Sequence, residues 1–314
     1  MPDQAEELRR RLQEVHGQGA GVMQTPASGQ ISGRVITVAS GKGGVGKSNL
    51  CINFALGLQN IGYHPIVLDA DIGFANVEVL LGARPKRTIL DILDGADVWD
   101  TVQESASGLP FLSAGSGLLD IHSLTPRQMA RLLEGVSRLH ERYDVILVDG
   151  GAGIGENMER LIRAADQLLL VTTPEPTAIA DGYSLLKLLA ARGDCPPVQL
   201  VVNRVQTVLD GRVASEKLRL VAGRFLNMDV GVLGYVLDDD SVGRAVMRQT
   251  PLLLDAPNST AARCFVQLVH NFVRAEVKPP KVGIAGFFER LFKRSRGRAG
   301  DPADPAVFPA HPVG

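Results

Sequence analysis

A chain of 314 residues, 45% hydrophobic and 21% charged, can bury a full α/β core, and its formal net charge of −1 excludes a globally basic nucleic-acid binder. Cys51, Cys195 and Cys264 lack metal-ligand spacing, which argues against zinc or iron–sulfur chemistry and reads as reduced core thiols of a cytosolic protein. No apolar run reaches the length of a bilayer span and no apolar signal region opens the chain, so neither export nor a membrane-spanning segment is expected.

Residues 1–16 read as a short polar helix. Pro2 suits a helix start, Asp3 and Glu6 suit its first turn, and Leu8, Leu12 and Val15 form one narrow apolar stripe. Such a segment fits either a tethered peptide that folds on a partner or a solvated terminal helix. Residues 17–33, rich in Gly, Gln, Ser and Thr, read as a flexible linker. The periodic core spans 34–277. Apolar strands are expected near 34–39, 65–69, 109–113, 144–149, 167–172, 198–203 and 231–236, separated mostly by helices. That alternation predicts an α/β fold with a doubly wound, mostly parallel sheet and ligands at the carboxyl ends of its strands.

The first strand runs into Gly41-Lys42-Gly43-Gly44-Val45-Gly46-Lys47-Ser48, and a helix follows from Lys47 to Gln59. Strand, glycine-rich loop and helix in this order form a phosphate-binding loop. Its glycines let successive N–H groups, from Gly41 through Asn49, point at phosphate oxygens. Lys47 is expected on the β- and γ-phosphates of ATP and Ser48 on Mg²⁺. Asp69 and Asp71 close the second strand, and Asp149 closes Val145-Ile146-Leu147-Val148-Asp149, so three carboxylates converge on one phosphate site. Asp69 and Asp149 join Ser48 as candidate metal ligands. Each Asp could instead cap a turn. Asn203, with Arg204 after it, ends another strand where its amide could meet an adenine edge or simply terminate the strand.

Residues 278–298 hold a basic amphipathic segment, and 299–314 read as a disordered tail. Ile284, Phe287, Phe288, Leu291 and Phe292 share one helical face, with Arg290, Lys293, Arg294, Arg296 and Arg298 against the single Glu289. Aromatic residues opposite basic ones suit a helix lying in an anionic lipid headgroup region, or else a terminal helix docked on its own domain.

Lys42 with Gly-Gly-Val-Gly-Lys, Asp69-Ala70-Asp71-Ile72-Gly73 with Asn76, Asp149 with Ala152-Gly153, Thr173-Pro174-Glu175-Pro176 and Asn203-Arg204 resemble the MinD/ParA family of deviant-Walker-A ATPases across about residues 34–275. The resemblance implies a homodimer that sandwiches two ATP molecules, with Lys42 crossing to the partner's phosphates and Asp71 orienting the attacking water. It also implies two switch loops, one with Gly73 and Asn76, the other with Gly151 and Gly153. Asp3-Gln4-Ala5 with Leu8-Arg9 resembles the opening motif of the FlhG group (YlxH or FleN) within that family. There the segment activates an FlhF-like GTPase, and a membrane-targeting helix lies at the other end. The implied partners are that GTPase, flagellar switch-complex proteins or a flagellar transcription regulator, and the inner face of the cell membrane in the ATP state. No direct DNA binding is expected. A MinD-type division-site ATPase and a poorly hydrolysing nucleotide-sensing scaffold are the alternative readings.

Overall fold

The computed structural model describes residues 33–70, 76–113, 115, 125–193, 195–275 and 283–292. Eight strands join in one sheet: β1 (Arg34–Ser40), β2 (Pro65–Asp69), β3 (Gln103–Glu104), β4 (Pro110–Ser113), β5 (Val145–Ala152), β6 (Gln167–Thr172), β7 (Val198–Val205) and β8 (Val230–Leu237). Their order is β3-β4-β2-β5-β1-β6-β7-β8, parallel throughout except for β3 against β4. The expected architecture is therefore present. The two-residue β3 has no counterpart in the sequence pattern, because a pair of residues carries no period.

β1, β2 and β6 are buried along their whole length, as strands covered on both faces must be. Alternate residues serve opposite faces: Ile36 and Val38 join one apolar cluster, while Val35 joins another. The first face carries α1 (Lys47–Asn60) and α10 (Thr260–Arg274), with short α2 (Asn76–Leu80) and α9 (Leu252–Asp255) at its side. The second carries α4 (Pro126–Ser137), α5 (Glu156–Ala164), α6 (Pro176–Ala191) and α7 (Val208–Leu226). Short α3 (Val98–Thr101) and α8 (Asp240–Met247) lie in the connections. Local sequence sets these starts. Thr125 and Gln128 form a reciprocal cap on α4 with Pro126 in its first turn, and Thr207 with Asp210 does the same for α7.

The last described helix, α11 (Gly283–Phe292), lies on the second face against α4, α5 and β1. Ile284, Phe287, Phe288 and Leu291 are each at most 3% exposed, and Phe292 packs partly buried on the same cluster. The Phe287 and Phe288 rings meet edge to face with centroids 5.1 Å apart. The apolar face expected to meet lipid is thus covered by the chain's own domain in this structure. The period of the sequence shows that a face must be covered; it cannot show by what.

Candidate nucleotide site

Strand order reverses at β1, which has β5 on one side and β6 on the other, so the loop after β1 opens into the crevice where open α/β sheets bind ligands. Gly44 and Gly46 adopt φ of +77° and +89°, the left-handed region that lets the loop curl back. Helix α1 begins with no side-chain cap and no acidic residue in its first turn, leaving its N–H groups and partial positive charge to an anion. Glycine is required at Gly41 for another reason: a Cβ there would lie 2.3 Å from the backbone of Asp181 in α6. Ser40 Oγ donates to the Lys42 carbonyl at 2.9 Å and steadies the loop's entry.

Residues Asp69 and Asp149 are register partners across β2 and β5, and Val38 pairs with Asp149 across β1 and β5. The sheet therefore sets both carboxylates beside the loop. Asp149 is fully buried and one of its oxygens pairs with Lys47 Nζ, itself 6% exposed and 3.3 Å from Ser48 Oγ. The other oxygen, Oδ2, is buried with no hydrogen-bond partner among the described residues. A buried carboxylate oxygen left unsatisfied fits a hard cation, and Mg²⁺ takes few protein ligands when phosphates supply the rest. Asp69 is already engaged: its Oδ2 accepts from Val77 N at 3.2 Å and holds the start of α2, which Asn76 opens.

The signature lysine, Lys42, turns back on its own chain. Its Nζ donates to Glu175 Oε2 at 2.8 Å and Thr177 Oγ1 at 3.1 Å at the start of α6. The hydrogen bond and charge of Lys42 hold the Glu175 carboxyl below the usual carboxylate range. Sequence reasoning assigned no role to Glu175 or Thr177; the signal was the strand-to-helix step Thr173-Pro174-Glu175-Pro176 at the carboxyl end of β6.

At the end of β5 and just past it, Gly151 and Gly153 take φ of +71° and +105°, so the stretch from Asp149 to α5 requires glycine at both expected switch positions. Gly150 has little room: a Cβ would meet Met158 Sδ at 3.2 Å and Thr37 Cγ2 at 3.3 Å. Asn203 also supports the phosphate loop. Its Nδ2 donates to Val45 O at 2.7 Å, so the amide buttresses the phosphate loop and keeps Oδ1 and its second N–H for an adenine edge. Arg204 holds φ of +55°, a strained conformation for arginine, on the wall of a cavity of about 420 Å³ shared with Thr173 and Glu175. Asp71 and Gly73, like Asp3, Gln4 and Ala5, lie outside the described residues.

Over residues 32–273 the chain matches ParA, the family described as the NUBPL iron-transfer P-loop NTPase. This chain is a P-loop ATPase of the ParA/MinD family. The C-x-x-C pair that iron carriage would need is absent from its sequence. Among curated relatives it is 38% identical to the antiactivator FleN of Pseudomonas aeruginosa, over 74% of this chain and 83% of that one. It is 32% identical to the flagellum site-determining protein YlxH of Helicobacter pylori, over 83% and 90%. Among solved structures it shares the fold of the septum site-determining protein MinD of Pyrococcus horikoshii in complex with Mg-ADP, with a TM-score of 0.60 at 22% identity, covering 77% and 96%. In this structure Lys47 pairs with Asp149 and Lys42 with Glu175.

Proposed function

We propose that this ATPase is an FlhG-type switch that sets flagellar number or placement. Its ATP-bound homodimer occupies the inner membrane face, and its N-terminal Asp3, Gln4 and Ala5 activate an FlhF-like GTPase. The observation that carries the reading is the 38% identity to FleN across most of both chains, which the fold shared with MinD could not supply. Flagellar switch-complex proteins or a flagellar transcription regulator would meet the ATPase core.

The cycle follows from contacts that must be exchanged. As ATP enters, Lys47 leaves Asp149 for the β- and γ-phosphates. Asp149 and Ser48 are then free to hold magnesium, which neutralises phosphate charge when bound. Lys42 leaves Glu175 and Thr177 and reaches the phosphates held by a second subunit. The pair it abandons is solvent-exposed and contributes little, so the exchange is easy. Asp71 orients the attacking water. The loop Gly150–Gly153 tightens around the γ-phosphate and carries the start of α5 with it. On its other side α5 packs against α11.

Burial of four large side chains holds α11 with about 6–12 kcal/mol of gross apolar stabilisation. Ordering its ten residues costs on the order of 10 kcal/mol, so the docked state is poised. Ile284, Phe287, Phe288, Leu291 and Phe292 exchange the domain for lipid, and two helices per dimer hold the membrane far better than one. The test is sedimentation with anionic vesicles. Wild-type protein is expected to sediment with ATP and not with ADP, and Lys42→Ala to stay in solution in both. Sedimentation that ignores the nucleotide sinks the switch.

A further inference from the structure

The groove beneath α11 is apolar by construction, drawing on Leu132 and Val136 of α4 and Leu161 of α5 together with Val35 of β1. If α11 departs, as the proposed cycle requires, that surface is left open to water in a state that is meant to persist. Two observations say what covers it.

The first is where the chain enters the domain. A Cβ built on Gly283, the opening residue of α11, would lie 3.6 Å from the carbonyl oxygen of Gly33. Gly33, to which the thirty-two preceding residues are tethered, therefore lies beside the start of the helix that fills this groove. A ten-residue helix is about 15 Å long, while residues 17–33 can span up to roughly 55 Å. The segment ahead of them reaches the groove in either direction.

The second is the stripe that segment carries. Leu8, Leu12 and Val15 follow i, i+4, i+7, the spacing of Ile284, Phe288 and Leu291, three of the residues α11 buries. Both segments are tethered to the same domain and so compete at similar effective concentration. Three aliphatic side chains bury less area than two phenylalanines with an isoleucine and a leucine, so α11 wins while it is present. The N-terminal stripe is a second occupant, suited to a vacancy.

We propose that residues 4–15 fill the groove when α11 leaves it, so that the N-terminal segment is offered to a partner only while the C-terminal helix is docked. One groove would then couple the two ends of the chain. Recruitment to lipid withdraws the N-terminal segment, and return to solution releases it.

Amide hydrogen exchange over residues 4–15 of the full-length chain tests this without lipid. Phe288→Asp places a charge where α11 is buried and undocks it; Ile284→Asp is a second way to do so, and retained nucleotide binding certifies the fold of either. In these variants exchange over residues 4–15 is expected to slow about tenfold or more relative to wild type. Adding Leu8→Asp and Leu12→Asp should return it to the wild-type rate. Unprotected amides in both undocked, folded variants overturn the proposal. Protection that vanishes on dilution marks insertion from a second copy and overturns the intramolecular form. The membrane reading fails separately. If wild type never sediments with vesicles while undocked variants show protection, the exchange of occupants stands and lipid is not its trigger. If wild type sediments and the undocked variants show no protection, lipid recruitment stands and the exchange of occupants is overturned.

Discussion

The phosphate loop and the C-terminal helix both hold groups suited to a ligand, and both satisfy those groups internally by different physics. At the loop the substitutes are directional. Asp149 takes Lys47, and Glu175 with Thr177 takes Lys42, the two lysines that the proposed cycle hands to phosphate. At α11 the substitute is a surface, and any apolar medium of similar extent would serve. A directional pair is exchanged for a chemically matching ligand and confers specificity for it. An apolar contact is exchanged for area, so its release has to be commanded from elsewhere. In the proposed cycle the decision therefore sits at the nucleotide and the response at the helix.

The largest effect that could break this comparison is at Asp149. Removing it strands the buried Lys47 charge, so Asp149→Ala should lower unfolding stability without nucleotide by about 3–5 kcal/mol in urea titration and abolish hydrolysis. Lys47→Met combined with Asp149→Leu should recover most of the stability and none of the activity. An unchanged midpoint for Asp149→Ala would mean that the pair is not a substitute for phosphate. Next in size, Asp71→Ala should slow single-turnover hydrolysis by roughly a hundredfold or more while ATP binding and dimerisation persist. Lys42→Ala should lose the ATP-dependent dimer as well. Wild-type hydrolysis by Asp71→Ala would remove that residue from the chemistry.

Smaller effects sharpen the contrast between the two ends. A peptide of residues 1–16 is expected to raise the GTPase rate of the cognate FlhF-like partner several-fold, with Gln4→Ala binding but losing most of the stimulation. No stimulation at saturating peptide would favour the division-site alternative. The smallest change is expected at Glu175→Ala, which frees Lys42 from its own chain. Folding stability should not move measurably, while the ATP concentration for half-dimerisation falls roughly two- to five-fold by analytical ultracentrifugation. The pH sign follows from the lowered Glu175 pKa: the contact is complete above the ordinary carboxylate pKa and is lost only as pH falls through the lower folded value. Dimerisation therefore gains nothing from Glu175 titration between about pH 6 and 8, and a rise there would assign the clasp to another group.

Legibility in the sequence followed the range of the interaction. The phosphate loop could be read because its glycines, lysine and hydroxyl are contiguous and the flanking strand and helix have strong local periods. Asp149 could be read because it ends an uninterrupted apolar run. Glu175 could not, since its role depends on α6 starting within reach of Lys42, a distance of 133 residues along the chain. Asn203 was placed at the right end of the right strand. Its partner was missed because the missing side chain of Gly46 leaves room for the amide: a Cβ there would sit 2.4 Å from Asn203 Nδ2. For α11 the pattern gave the face and not its cover, because burial in protein and burial in lipid select the same side chains.

The place of β5 in the sheet bears on how the site is born. β1 and β2 are successive strands yet are not paired with each other; β5, about 75 residues after β2, slots between them and pairs with both. A nascent chain that has emerged only through β2 has its phosphate loop but neither the strand that seats it nor the carboxylate that later holds Lys47. Pairing at that separation is slow, and β1 on one side and β2 with β4 and β3 on the other must wait for it with open edges. Nucleotide binding is therefore expected to begin only after β5, which ends about halfway along the chain, has left the ribosome.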